Sequence, residues 1–234
     1  MAKIVSASFA PGALNASHSK LIKVEFGPII SKRLVFAVIS PILTSMTNTA
    51  FVSFKNHFLI ALPALKDGIF THSITYLCEH DEHGAMGIII NHPLNMDVDE
   101  ILEQLELDGC SYDHQQPVYA GGPIHTDRGF VLHRRDGKQW ESSIDVTDTI
   151  TLTTSLDILD AIARNCGPSQ SIIALGYAGW DAGQLEEELQ ENIWLTVAAS
   201  DHVIFEVEAE KRVDAALASL GIDFSQISPH SGHA

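Results

Sequence analysis

A chain of 234 residues with 45% hydrophobic and 7% aromatic content can bury a full core as one large domain or two small ones, which excludes general disorder. Its formal charge of −16 is uneven: residues 1–45 sum to +4 and the remainder carries −20. So acidic a body repels phosphate backbones, which disfavours nucleic acid as a general partner and leaves a soluble, self-repelling cytoplasmic protein as the expectation.

Residues 1–45 hold Lys3, Lys20, Lys23, Lys32 and Arg33 against Glu25 alone. Their apolar run "LVFAVISPIL" at 34–43 is interrupted by Pro41 and is about half the roughly 20 residues needed to span a bilayer. A signal-peptide core would not lie so far inside the chain, so no membrane or export role is expected. The segment reads as an extension upstream of the native start, or as a poorly ordered leader whose "LIKVEF" and "RLVFAVI" are weak strands. No chemistry is assigned to it.

From residue 57 the elements alternate. "HFLIAL" (57–62) and "FTHSITYLC" (70–78) are predicted strands, separated by the turn residues Pro63, Asp67 and Gly68. "AMGIIIN" (85–91) is apolar without alternation, as in a strand covered on both faces. Val98, Ile101, Leu102 and Leu105 share one face of a helix predicted over 97–107. "PVYA" (117–120) is a strand, and "GFVLHRRDGKQWESSIDV" is a hairpin turning at Asp136-Gly137, where both positions favour positive φ. "TLTT" (151–154) precedes a helix at 155–165 with Ser155 as cap, Leu156, Leu159 and Ile162 on one face, and Gly167-Pro168 as terminator. After the buried strand "SIIALGYAG" (171–179), Asp181 and Gln184 make a capping-box variant that launches a third helix. "WLTVAA" (194–199) is the last strand, followed by a helix over about 210–220 that Gly221 stops.

Helices alternating with fully apolar strands argue for parallel pairing, and hairpins require antiparallel pairing. The expected fold is therefore α/β with a mixed parallel and antiparallel sheet and about four helices, a single domain over 46–224, and a loose tail at 225–234.

The P-loop, dinucleotide-binding, nucleophile-elbow and H-E-x-x-H signatures are all absent. Cys78, Cys110 and Cys166 form neither a C-x-x-C unit nor a disulfide framework, which fits a reducing compartment. "CEHDEHG" crowds metal-ligand types from Cys78 to His83, but zinc sites draw on separated pairs, so it reads as a solvated acidic turn with no metal. In "GYAGWDAGQLEEEL", Asp181, Glu186, Glu187 and Glu188 already answer the positive end of the helix, leaving Gly176 and Gly179 to close packing and Trp180 to anchor the junction. "HRRDGK" holds Arg134, Arg135 and Lys138, three of nine basic residues beyond residue 45, and reads as a solvated tip of mixed charge.

The blocks "HFLIALPALKDGIFTHSITYLCEHDEHGAMGIIINHPL", "VYAGGPIHTDRGFVLH" and "ALGYAGWDAGQLEEELQENIWLTV" resemble the AlgH/YqgE family of uncharacterised bacterial proteins, from about residue 54 to the terminal "SGHA". The resemblance implies a compact α/β fold with a barrel-like mixed sheet, in the cytoplasm. It brings no reaction; some members carry the label of transcriptional regulator. His92 and His72 stand where the family often has basic residues, so an anion site there would lack fixed positive charge in this chain.

Gly121-Gly122, Asn91-His92-Pro93 and the run from Gly176 to Trp180 each follow a strand, where α/β folds place ligand crevices. If they converge, the candidate ligand-binding set is Asn91, Gly121, Gly122, Gly179 and Trp180, with bare backbone open to a ligand or a neighbouring chain. The competing reading is a tight turn whose dihedrals exclude side chains. No nucleophile has a recognisable adjacent base, so no catalytic residue, metal or cofactor is assigned. The expectation is a non-catalytic binding or regulatory protein acting through a protein or small-molecule partner. The alternative is an enzyme of unfamiliar type in that crevice, with His125 or Asp127 as acid or base.

Overall fold

Strand β9 (Ser171–Asp181) is the spine of the molecule, because different halves of it are hydrogen-bonded to different strands. The computed structural model describes residues 51–63, 65, 68–107 and 116–221; the extension at 1–45, Cys110 and the tail at 225–234 lie outside them. In chain order the elements are β1 (His57–Ala61), β2 (Ile74–Asp81), β3 (Gly84–Ile89), β4 (Pro93–Asp97), α1 (Val98–Gln104), β5 (Pro117–Ala120), β6 (Ile124–Arg134), β7 (Ser143–Asp145), β8 (Ile150–Thr153), α2 (Leu156–Ala163), β9, α3 (Gln184–Gln190), β10 (Trp194–Ala198), α4 (Asp201–Phe205) and α5 (Arg212–Ala218). The main path of the sheet runs β10-β1-β2-β3-β9-β6-β8-β7, and β4 joins through β5. The result is a mixed α/β protein with a curled, half-barrel sheet and, among the described residues, five α-helices.

Among the described residues only β5 runs parallel to a neighbour, pairing Tyr119 with Ala174 and Ala120 with Leu175 on β9; the other pairs are antiparallel. The parallel pairing expected from unbroken apolar runs is thus present at that one pair and corrected for the other apolar strands. Those runs have another cause, which is that both faces of this antiparallel sheet are covered. On β1 and β2, Phe58, Ile60, Ile74, Tyr76 and Cys78 point into the concave core, where α4 and α5 contribute Val203, Ile204, Ala216 and Leu217. Leu59, Ala61 and Leu77 point outward beneath α3 and Trp194. Farther along the sheet, Val118, Val131, Ile173 and Leu175 face outward beneath α1 and α2. Burial on two faces removes the polar alternation that ordinarily identifies an antiparallel strand.

Gly176, at φ 74°, lets β9 serve both halves of the sheet. Before it, Ile172 and Ala174 face the concave core; after it, Tyr177 takes that side and Ala178 and Trp180 turn to the α3 face. A left-handed residue inserted in a strand shifts the inward-outward phase by one, and glycine adopts that conformation without side-chain cost.

Two further expectations are corrected. The strands on either side of Asp136-Gly137 do not pair with each other: β8 lies between them, bonded to β6 on one edge and β7 on the other. All four residues of β8 are buried, so it occupies the interior position, and the three-residue β7 becomes the rim. The "CEHD" stretch is strand, and the turn is confined to Glu82 and His83.

Helix ends followed the sequence unevenly. Asp97 caps α1 in a full capping box, accepting from the Glu100 N–H while Glu100 accepts from Asp97 N–H. Ser155 occupies the cap position of α2, but its hydroxyl donates to Asp157 Oδ1 rather than accepting from the helix. For α3 the cap is Gly183 in the left-handed region; Gln184 still reaches back to accept from Asp181 N–H at 3.0 Å. Arg212 at the start of α5 is buried, donating from Nε to Val207 O and from Nη1 to Ile90 O, so it pins the helix to the end of β3.

Candidate functional site

The glycine pair that opens the "GGPIH" turn sits where three main chains cross. Gly121 N–H donates to Leu175 O at 2.8 Å, and Gly121 O accepts from Ile89 N–H at 2.8 Å. A Cβ on Gly121 would stand 2.3 Å from Gly176 O, and one on Gly122 would stand 2.1 Å from the carbonyl carbon of Tyr177. Gly122 also has φ 157°. Crowding by the protein's own backbone therefore accounts for both glycines, because no side chain fits between β5 and β9.

Asn91 lies beside this crossing. Its Oδ1 accepts from Ile74 N–H at 2.9 Å and its Nδ2 donates to His72 O at 2.8 Å, which ties the start of β2 to the end of β3. Ala120 N–H donates to His92 O, so Asn91, Gly121 and Gly122 are brought together. Gly179 follows on β9, paired with Met86 and overlain by Ile124 and Tyr177. Trp180 turns its indole the other way, into the layer beneath α3. Asn91, Gly121 and Gly122 therefore share one region, Gly179 lies farther along β9 opposite Met86, and Trp180 faces the other side of the sheet. Burial holds the His92 imidazole below its ordinary range.

Next to this region β6 bulges outward. Ile124 pairs with Tyr177 and Gly129 with Leu175, so His125 to Arg128 loop out of register. His125 has φ 50°, and its ring stacks on Tyr177 at 6.0 Å. His125, Thr126 and Asp127 are exposed. Two depressions lie elsewhere, one of about 200 Å³ around Pro63 and His72 and one of about 300 Å³ around Gln116, Asn165 and Gln170. Neither is lined by any of the five expected residues.

Other ionisable groups are bound to one another. His80 Nδ1 accepts from Phe54 N–H at 2.8 Å, which leaves the proton on Nε2, and Nε2 donates to Glu186 Oε1 at 2.9 Å. Glu188, expected as one of several helix-end carboxylates, is instead buried. Its Oε2 accepts from both Trp180 Nε1 at 2.8 Å and Trp194 Nε1 at 2.7 Å, and its Oε1 from Gln184 Nε2 at 2.9 Å. Cys78 is fully buried with its thiol pushed up by burial, while Asp81 turns to its own loop at His83 N–H. Among the described residues no group of three His, Cys, Asp or Glu is placed to hold a metal. The basic tip is internally matched: Arg134 bonds Asp201 and Glu206, Arg135 meets Asp145 at 3.3 Å, and Lys138 lies over Trp140.

Sequence reading missed one constellation, in which His133 of β6, Thr153 of β8 and Ser143 of β7 are linked by side-chain hydrogen bonds. These residues are distant in the chain and match no motif. The available signal was a polar residue at every second position, Thr151 and Thr153 in "TLTT", which marks one face of a strand as polar.

A curled sheet buried on both faces, with a glycine crossing where β5 meets β9, defines an α/β protein of the half-barrel type. The AlgH-like family model matches residues 58–225, and the chain belongs to that family. A UPF0301 protein of Chromohalobacter salexigens is 51% identical over 182 residues, 77% of this chain and 98% of the relative. One from Saccharophagus degradans is 51% identical over 184 residues, 79% of this chain and 90% of its own length. The solution structure of the AlgH protein from Pseudomonas aeruginosa superposes with a TM-score of 0.65 at 44% identity, covering 82% of this chain and all of that one. The crystal structure of protein DIP2367 from Corynebacterium diphtheriae gives 0.55 at 19% identity, over 68% of this chain and 84% of that one, a likeness of fold alone. Among the described residues no helix is long and apolar enough to cross a membrane.

Proposed function

We propose that the chain is a cytoplasmic, non-catalytic binding or regulatory protein that acts through a protein or small-molecule partner, without contacting DNA itself. The observation that supports this most is the closure of its ionisable groups on one another: both nitrogens of His80 and both oxygens of Glu188 are committed to internal partners. A general base must have a lone pair directed at its substrate, and neither group offers one. The indirect route follows from the tip of β6, where Arg134 and Arg135 are already paired with carboxylates on a strongly acidic body.

The favoured contact region is the surface around Asn91, Gly121, Gly122 and Gly179, with Trp180 bracing it from behind. Its test is a thermal-shift screen of metabolites followed by Asn91→Ala: a stabilising ligand whose effect is lost in the variant supports the reading. DNA retarded by micromolar protein at low salt would overturn the indirect route. A second reading, an enzyme at the same bulge, is favoured by His125, a non-glycine residue held at positive φ beside exposed Asp127. Steady turnover of a defined compound that vanishes in His125→Ala would replace the first reading with the second.

A further inference from the structure

On the outer face of the β6-β8-β7 end, three side chains form a hydrogen-bond chain whose direction is fixed by chemistry. His133 Nδ1 lies 2.9 Å from Arg134 O, a carbonyl that can only accept, so Nδ1 carries the proton. Nε2 of the neutral ring is then an acceptor, and Thr153 Oγ1, 2.9 Å away, donates to it. That commits the single hydroxyl proton of Thr153. The remaining contact, 2.8 Å between Ser143 Oγ and Thr153 Oγ1, is therefore a donation by Ser143. His133 is 1% exposed and Thr153 0%, whereas Ser143 is exposed on a strand that ends the main path of the sheet. Ser143 directs its proton inward and its lone pairs outward.

An exposed oxygen whose proton is drawn toward a buried base is the arrangement of an activated nucleophile, here with one hydroxyl interposed. Burial holds the His133 imidazole below its ordinary range, which keeps it neutral near pH 7, while the carboxylates of Asp136 and Asp145 favour the cation it becomes on accepting a proton. The geometry points to Ser143 as a nucleophilic hydroxyl that takes one acyl group from a small activated acyl donor. Ser143 Oγ bonds to the acyl carbon, and the bond from that carbon to the leaving group breaks. The Ser143 proton passes to Thr153 as the Thr153 proton passes to His133 Nε2, and the leaving group departs as an anion. Acylation also consumes the hydroxyl that connects the buried base to solvent. No water can then be activated through the chain, so the ester accumulates as a single covalent mark without turnover. Such a mark goes beyond the binding reading and does not depend on the surface around Asn91.

The test uses the full-length protein and p-nitrophenyl acetate at pH 7.5, following p-nitrophenolate release together with intact-mass and peptide mapping. The expected result is a burst of one equivalent with acetyl on Ser143, followed by release at the rate of buffer alone. Ser143→Ala abolishes the burst. Thr153→Val removes the relay at constant shape and slows acetylation by about 100-fold or more, the range of general-base assistance; Thr153→Ser restores it. Circular dichroism on each variant separates loss of relay from loss of fold. Acetylation confined to lysines, equal rates in Thr153→Val and wild type, or sustained turnover would each overturn the proposal.

Discussion

The two outward faces of the sheet are covered by helices in different ways. Beneath α1 and α2 the cover is apolar, with Val98, Ile101, Leu102, Ile158, Leu159 and Ile162 laid on Val131, Ile173 and Leu175. Beneath α3 it centres on a carboxylate: Glu188 holds the indoles of Trp180 and Trp194, whose rings meet edge to face at 5.9 Å. The first face depends on area removed from water, which tolerates small rearrangement; the second depends on three hydrogen bonds that have no substitute inside the layer. One sheet thus attaches one cover non-directionally and the other directionally.

The largest disruption strikes what both faces share. Gly122→Ala forces a Cβ into the main chain of β9 at a positive φ, and the variant is expected to yield no cooperatively folded protein in urea titration. Glu188→Leu leaves two buried indole N–H groups without acceptors, each worth about 1–3 kcal/mol, so a loss of roughly 2–6 kcal/mol is expected from the urea midpoint. Glu188→Gln keeps one acceptor and should lose less; equal losses would show that the contact is not what holds α3.

On the apolar face, Ile158→Val removes one methylene from a fully buried site at a cost of about 1 kcal/mol. Combined with Glu188→Leu its effect should add to within about 0.5 kcal/mol, since the two sites lie in separate clusters with no shared partner. Coupling beyond that would mean the faces communicate through β9.

Acid sharpens the same comparison without mutation. His133 on the apolar side has its pKa lowered by burial, so the unfolded chain, titrating near 6.5, binds the proton first. The sign follows: stability is full above about pH 6.5 and falls as pH drops through that value toward the folded pKa. Urea midpoints between pH 7.5 and 5 should decline, and His133→Gln should remove part of that slope.

What the sequence disclosed about these faces depended on the range of the forces involved. The stripe of α1 was legible because its spacing arises within two turns of helix, whereas the capping box at Asp97 was not read. Most strand positions were legible from equally local patterns, although β4 at Pro93–Asp97 was not read as a strand. Strand direction was not, because an apolar run such as "GIII" shows that both faces are covered and is silent on how its neighbours run. The insertion of β8 between β6 and β7 overrode the strong local signal of Asp136-Gly137 by pairing across the sheet. Among the expected site residues, Gly121 and Gly122 were correctly placed at a strand end. That their bareness accommodates Gly176 and Tyr177 could be seen only with β9 in position. Glu188 looked like one of three consecutive surface acids until two tryptophans separated in sequence met over it.

The position of the spine strand in the sequence has a consequence for assembly. Ala85 waits for Trp180 and Val131 for Ile173, so the main path of the sheet stays broken between β3 and β6 until β9 arrives, three-quarters of the way along the chain. During synthesis the growing polypeptide carries open sheet edges at β3 and β6, besides that of β1, which waits for β10, the condition in which strands find foreign partners. Chaperone demand during translation should therefore peak just before residue 171 leaves the ribosome and fall as β9 seals the edges of β3 and β6 and β10 then covers β1.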